Sequence, residues 1–286
     1  MTRGRRGFTF VELIVVTVLG SLVLMAALQV LITNRRAYTA QAATISGQQT
    51  TRMAIEILFA ELREVSPSGG DILRMDADSI TVRLMRKFSY VCATDFSGQP
   101  ELTVVREGGS LPLMSGSNGF VVGDSVFVYA DNDEDIDTDD VWIPARVSAI
   151  DATTGMTGVF CPQGLGTQPG YQLTFNGQGA LFAADSVGIG APVRSYDQFT
   201  FGTTTMNGDV YLARRDPGAA DYMPMAGPLQ DTNGLQFVYR DSLGAVTNVA
   251  ADVAQVEVTV RTGSEVLNSL GGFVQDSVRV WIYTRN

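Results

Sequence analysis

The sequence predicts an α+β chain: a long N-terminal transmembrane and amphipathic helix followed by an antiparallel, β-rich globular domain. Three observations predict it. An uncharged apolar run extends from Leu13 to Asn34, and no proline interrupts the chain before Pro67. Apolar residues recur at helical spacing as far as Leu62, and beyond residue 70 they alternate with polar ones. The chain also carries 30 glycines and two Asn-Gly turn signals, as expected of a sheet assembly.

The first element covers residues 8–34. About 20 apolar residues span a bilayer as a helix, and the run from Leu13 is that long. Arg3, Arg5 and Arg6 precede it and no basic residue interrupts it. By the positive-inside rule the N-terminus is cytoplasmic and the body is exported. The second element, residues 35–66, changes character at Arg35-Arg36. There Ile55, Leu58, Phe59 and Leu62 recur at i, i+3, i+4 and i+7, with Glu56, Glu61, Arg63 and Glu64 between them. Ser66-Pro67-Ser68-Gly69-Gly70 then ends the helix, at about Val65. A helix of that length is about 85 Å long and needs something to bury it: lipid or a filament core below, a globular domain above.

Residues 67–286 read as one β-rich body, large enough for a core of its own. Ile80, Val82 and Leu84 alternate with polar residues, as do Val256, Val258 and Val260, and Val278, Val280 and Ile282. Asn207-Gly208 predicts a hairpin between Phe199–Thr205 and Asp209–Ala213, and Asn176-Gly177 predicts a second. Trp142, Trp281 and the other aromatic residues on strands are expected in the core.

Between the strand-like segments 125–129 and 141–143, residues 131–140 place seven carboxylates in ten positions. Asp131, Asp133, Asp135 and Asp137 could converge on Ca²⁺, which takes six to eight oxygens. The loop is not an EF-hand, because Ile136 stands where the turn glycine belongs and Trp142 where the bidentate glutamate belongs. The other reading is a solvated hairpin tip that keeps strand edges unpaired.

Composition narrows the function. The net charge is −10 and Lys87 is the only lysine, so no nucleic-acid partner is indicated. There is no histidine, the commonest general base and metal ligand. No G-x-S-x-G, P-loop or G-x-G-x-x-G opens a helix, so no enzyme is expected. Cys92 and Cys161 are the only cysteines. They read either as two buried thiols or as a disulfide, and the oxidising compartment of an exported chain favours the disulfide.

Arg5-Arg6-Gly7-Phe8-Thr9-Phe10-Val11-Glu12-Leu13-Ile14 resembles the N-terminus of the type IV pilin superfamily. That resemblance implies a leader, residues 1–7, removed after Gly7 by a prepilin peptidase/methyltransferase that then N-methylates Phe8. It also implies that Glu12 is an assembly charge, meeting the N-terminal amine of the adjacent subunit. A carboxylate beside a membrane-length apolar run costs about 2.5 kcal/mol or more if left unpaired in lipid, so a plain anchor has no reason to carry one. A secretory signal is a poorer fit despite Ala40-Gln41-Ala42, since its apolar region runs to only about 15 residues. Arg5-Arg6 also imitates a twin-arginine signal, which Glu12 fits poorly.

Residues 235–244 and the closing strand ending Thr284-Arg285-Asn286 resemble PilW-like minor pilins and J-type pseudopilins of type II secretion. The resemblances imply a minor pilin held in the inner membrane, with its body periplasmic, and then built into a surface pilus. The implied partners are other pilins or pseudopilins and the inner membrane. The alternatives are a J-like secretion pseudopilin and, from another class, a membrane-anchored, calcium-dependent binding or adhesion module.

Overall fold

Thr9 starts the first helix with extended backbone. Its hydroxyl accepts the Glu12 N–H at 3.3 Å, and the Glu12 carboxylate accepts the Thr9 N–H at 3.2 Å. This reciprocal capping box satisfies two of the donors that a helix N-terminus leaves open. The computed structural model describes residues 9–105, 119–132, 140–151, 159–161, 166–168, 170–182, 187–267 and 272–285.

From this cap α1 (Phe10–Leu62) runs uninterrupted for 53 residues. Every residue from Phe10 to Thr39 is exposed, and the segment is long and apolar enough to cross a membrane. Thr17, Ser21 and Thr33 donate their hydroxyls to carbonyls three or four residues back, so they add little polarity to that surface. α1 ends at Leu62, three residues before the predicted stop. The next residues form a tight turn around Asp71, whose carboxylate accepts the Ser66 N–H at 3.0 Å.

The strands are β1 (Ile72–Met75), β2 (Ile80–Asp95), β3 (Glu101–Val105), β4 (Ser125–Ala130), β5 (Val141–Arg146), β6 (Ala149–Asp151), β7 (Val159–Cys161), β8 (Gly166–Gln168) and β9 (Gly170–Thr174). A short helix, α2 (Gly179–Phe182), precedes β10 (Pro192–Met206), β11 (Asp209–Arg215), β12 (Met223–Leu229), β13 (Leu235–Arg240), β14 (Gln255–Leu267) and β15 (Phe273–Tyr283). Among the described residues, one antiparallel sheet has the order β12-β11-β10-β2-β3-β9-β6, with β1 beside β2 and the β4–β5 hairpin added to β10. A second sheet has the order β13-β14-β15, and β7 pairs with β8.

The long strands β2 and β10 pair from Ile80↔Phe201 to Tyr90↔Pro192 and pass through two hydrophobic cores. In the first core Ala54, Leu58 and Leu62 of α1 lie against Val82 and Leu84, Phe199 and Phe201, and Val256, Val258 and Val260. The second is built on Val91, Leu102, Val104, Val126, Val128, Leu173 and Phe175. The alternating runs around 80, 256 and 278 are β2, β14 and β15, as their spacing predicts. Asn207-Gly208 makes the β10–β11 turn, with φ of 56° and 93° at the two residues.

Three expectations are corrected. The stripe of α1 that meets the sheets is Thr50, Thr51, Ala54, Leu58 and Leu62, while Ile55 is only half-buried and Phe59 is 44% exposed. Small residues set this rotation by letting the sheet approach closely. A Cβ on Gly47 would stand 2.9 Å from Thr262 Oγ1, and Thr50 donates to the Gly227 carbonyl. Asn176-Gly177 is a turn into α2 rather than a hairpin, because Phe182 folds back onto Phe175 at 5.2 Å. Trp281 is 52% exposed, since the odd residues of β15 face away from α1.

Candidate functional site

The site to which the sequence points is the helix start. Gly7 and Phe8 lie outside the described residues, so the structure begins at their C-terminal neighbour. Glu12 is the only charged residue from Thr9 to Asn34. Its Oε2 accepts both the backbone N–H and the hydroxyl of Thr9 at 3.2 Å. One carboxylate therefore has two donors within its own chain, and its remaining acceptor capacity faces outward, since Glu12 is exposed. Sequence reasoning passed over Thr9. The signal was present, because Thr-x-x-Glu directly before an apolar run is the pattern of a capping box.

The domain grips only the upper part of α1. Partial burial begins at Ala40 and full burial at Thr50. Thr51 donates to Asp276 Oδ2 of β15 at 3.1 Å, and the Arg285 N–H donates to the Val65 carbonyl at 2.9 Å. Glu61 faces Arg86 at 3.3 Å and Arg214 at 4.0 Å, and both guanidiniums stack on the Phe199 ring. These contacts tie α1 to β15, β2 and β11, and the turn that follows the helix to Arg285.

At the upper end of α1 the buried Asp71 pairs with Arg194 at 3.1 and 3.3 Å. Burial pushes the Asp71 carboxyl above its ordinary range, against the opposing pull of Arg194 and the Ser66 N–H. Arg194 also lies over the rings of Phe127 and Trp142, at 5.0 and 4.7 Å. Through these contacts the turn after α1 is tied to the β4–β5 hairpin. Elsewhere burial raises the Tyr239 hydroxyl, which donates to the Asp76 and Ser79 carbonyls. Hydrogen bonds from the Ser97 N–H and hydroxyl hold the exposed Asp95 low.

That hairpin presents the acidic loop. β4 and β5 pair in register from Ser125↔Arg146 to Ala130↔Val141, and Tyr129 meets Trp142 at 5.3 Å across the stem. Of the four proposed calcium ligands only Asp131 is described, at the end of β4. Asp133, Asp135 and Asp137 lie outside the described residues. Among the described residues, no group of three or more His, Cys, Asp or Glu is placed to hold a metal ion.

Cys92 is buried in β2, and β7, which ends at Cys161, runs beside β2. The Cys161 side chain lies outside the described residues, so the proximity is one of backbones. The only lysine, Lys87, is committed to Asp124 at 2.7 Å, leaving arginines to supply the exposed positive charge.

A family model described as the prokaryotic N-terminal methylation motif matches residues 2–28. The match covers Arg3, Arg5 and Arg6, the Gly7-Phe8 pair, Glu12 and most of the apolar run. No curated protein and no solved structure matches the chain.

Proposed function

We propose that this type IV pilin-like or pseudopilin precursor is a minor pilin, a structural and assembly subunit of a type IV pilus. The observation that carries the reading is a coincidence at one end of one helix. The methylation motif and a lone carboxylate head α1, whose first 30 residues are all exposed. Such a surface stays out of water only in lipid or against other helices. The peptidase/methyltransferase cuts after Gly7 and methylates Phe8. Other pilins then take the place of lipid around α1, and Glu12 receives the Phe8 amine of the adjacent subunit. A charge pair in low dielectric is favourable only when close and otherwise satisfied, so it sets axial register as well as affinity.

The apolar run Leu13–Ile32 is about 30 Å long at 1.5 Å per residue, matching the hydrocarbon thickness. Arg35, Arg36 and Tyr38 follow at the headgroup level, and the domain begins beyond them on the periplasmic side. A disulfide between Cys92 and Cys161 then closes the loop that carries the acidic hairpin.

Intact mass and N-terminal sequence of the protein purified from its native membrane test this reading. The expected product begins at methylated Phe8, and a Gly7→Val variant runs as an unshifted precursor beside a peptidase-null control. A mature chain that retains Met1 refutes the reading and leaves an anchored module. Surface filaments that contain the subunit favour a pilus. A secretion defect without filaments identifies a pseudopilin.

A further inference from the structure

The lower end of the domain, where it first meets α1, holds an acidic cavity. It lies between residues 43–50 of α1, the β10–β11 turn and the β14–β15 hairpin, and encloses about 620 Å³. Its lining includes the carboxylates of Asp209 and Asp276 and the hydroxyls of Thr44, Ser46, Thr50 and Ser264. Among the described residues no lysine or arginine lines it. Thr51 donates to Asp276 at 3.1 Å, which supplies a hydrogen bond but no counter-charge. Asp209 is exposed in the turn and forms no ion pair among the described residues. A cleft lined by charge of one sign concentrates the opposite sign, so this one favours a cation and disfavours an anion.

The same chain carries a complementary pair further down α1. Arg35 and Arg36 are exposed and likewise form no ion pair among the described residues. A guanidinium at the border of an apolar run turns its head away from that run, which here means toward the domain. Within one chain the pair falls short: at about 1.5 Å per residue, Arg36 lies about 10.5 Å below Ala43, the cavity's lowest residue on α1. A neighbour is better placed. With its Phe8 amine at Glu12, the adjacent subunit stands four residues, or about 6 Å, higher along the axis. Its Arg35 and Arg36 then lie only about 4.5 to 6 Å below Ala43, on a helix whose axis is about 8–10 Å away. An arginine side chain spans that gap. A neighbour displaced the other way has its arginines about 16.5 Å or more below the cavity, out of reach.

We propose that this cavity receives the Arg35-Arg36 pair of a second copy of this chain, the copy whose Phe8 amine meets Glu12. The inference rests on the pilin reading above, which supplies the axial register. Charge and height select the occupant. An anionic lipid headgroup is refused by two carboxylates, and Ala43 stands about 16.5 Å above Ile32, beyond a headgroup layer of about 5–7.5 Å on each side. A second copy brings both the register and the arginines that fit it. Adjacent residues on a helix diverge by about 100°, so one guanidinium enters and the other stays at the rim. Each pair of neighbours thereby gains a second ion pair, about 46 Å from the first, which fixes tilt as well as register.

The test uses the full chain in its native host, with two differently tagged copies co-expressed and the mature N-terminus sequenced. One copy carries Arg35→Cys or Arg36→Cys, and the other carries Asp209→Cys. A short bismaleimide should join the two tags in sheared filaments for at least one of the arginine positions. The yield should be about tenfold or more above that with Met223→Cys, at the far end of β12, and wild-type copies should not join. In a second measurement, Asp209→Arg should lower a copy's share of filaments by about fivefold or more without changing its unfolding temperature. Arg35→Asp and Arg36→Asp in the same chain should restore that share. Processed, filament-borne subunits that give no mixed dimer overturn the proposal and leave the pilin reading standing. A thiol at position 209 that joins a different pilin, or only position 35 or 36 of its own copy, overturns it as well. An uncut Met1 ends both readings, since the register is lost with the free amine.

Discussion

Replacing Glu12 by glutamine separates two roles that an alanine confounds. In the structure the Glu12 side chain accepts the Thr9 N–H at 3.2 Å and the Thr9 hydroxyl accepts the Glu12 N–H at 3.3 Å. Glutamine can fill the same place in a capping box, so Glu12→Gln keeps the helix start and removes only the charge. Thr9→Val does the reverse, at about 1 kcal/mol for a lost cap, or roughly a fivefold change in the population of the first turn. An unpaired charge in lipid costs about 2.5 kcal/mol or more, and each 1.4 kcal/mol is about tenfold. If Glu12 is satisfied in assembly by a neighbour's amine, losing that pair should lower incorporation by roughly 50-fold. Variant and wild-type subunits would be co-expressed at equal levels, with processing at Gly7 verified. Their ratio in sheared filaments would then be compared with their ratio in the membrane. Glu12→Gln should be depleted by more than tenfold and Thr9→Val by less than fivefold. A Glu12→Gln subunit recovered at the wild-type ratio would refute the charge-pair reasoning and leave Glu12 a helix cap.

Four further outcomes follow from the domain. Leu58→Ala empties a fully buried position between α1 and both sheets and should cost about 2–5 kcal/mol in denaturant unfolding; a loss below 1 kcal/mol would show that α1 does not anchor the first core. Reduction, or Cys92→Ser, should lower stability by about 4 kcal/mol through loop entropy and retard the band on a non-reducing gel, whereas identical mobility with and without reductant would mean two thiols. Asp71 has a folded pKa raised by burial, so its contribution is fully present below about pH 3.9 and is lost as pH rises through the folded value. The stability difference between wild type and Asp71→Asn should therefore shrink with rising pH, and a difference that widens would contradict burial as the dominant cause. If the acidic loop holds Ca²⁺, chelation should lower the unfolding temperature of wild type and leave a variant with Asn at 131, 133, 135 and 137 unchanged; equal responses would make the loop a solvated tip.

The helix, the strand periodicity and the β10–β11 turn were legible because each depends on residues near in sequence: apolar spacing, period-two alternation, an Asn-Gly pair. What was hidden depends on contacts between distant residues. Nothing in the periodicity of α1 shows that Gly47, Thr50, Thr51 and Ala54 face the sheet, because small and polar residues do not score as an apolar stripe. They are buried for the close approach they permit, and only the hydroxyl of Thr262 and the carboxylate of Asp276 on the other side explain them. The same holds for Glu257, which is 6% exposed on a face that alternation marks as outward, and which is held by Arg240 and Arg279 from the strands on either side. The helix start was half legible. The sequence singled out Glu12, while its partner within the chain, Thr9, emerged only with the hydrogen bonds.

The charges around the membrane-length segment bear on how a subunit could leave the bilayer. In sequence Arg3, Arg5 and Arg6 precede the apolar run and Arg35 and Arg36 follow it, the inner and outer ends on the proposed topology. On the proposed cut after Gly7, all three inner arginines go, and the net charge falls from −10 to −13. The inner end then keeps a single amine, on Phe8, four residues from the Glu12 carboxylate. Arginines carry the charge bias that fixes orientation, so cleavage leaves that bias at the outer end alone. Within the span the hydroxyls of Thr17, Ser21 and Thr33 are already bonded to backbone carbonyls, so these three groups exchange no partner on leaving lipid. Glu12 differs from them in carrying charge. Its cap gives it donors inside its own chain but no positive charge, so its electrostatic cost persists until a cation arrives. On this reading the arriving amine of a neighbour and the lost leader act in the same direction, one drawing the helix into the filament and the other releasing its hold on the inner face.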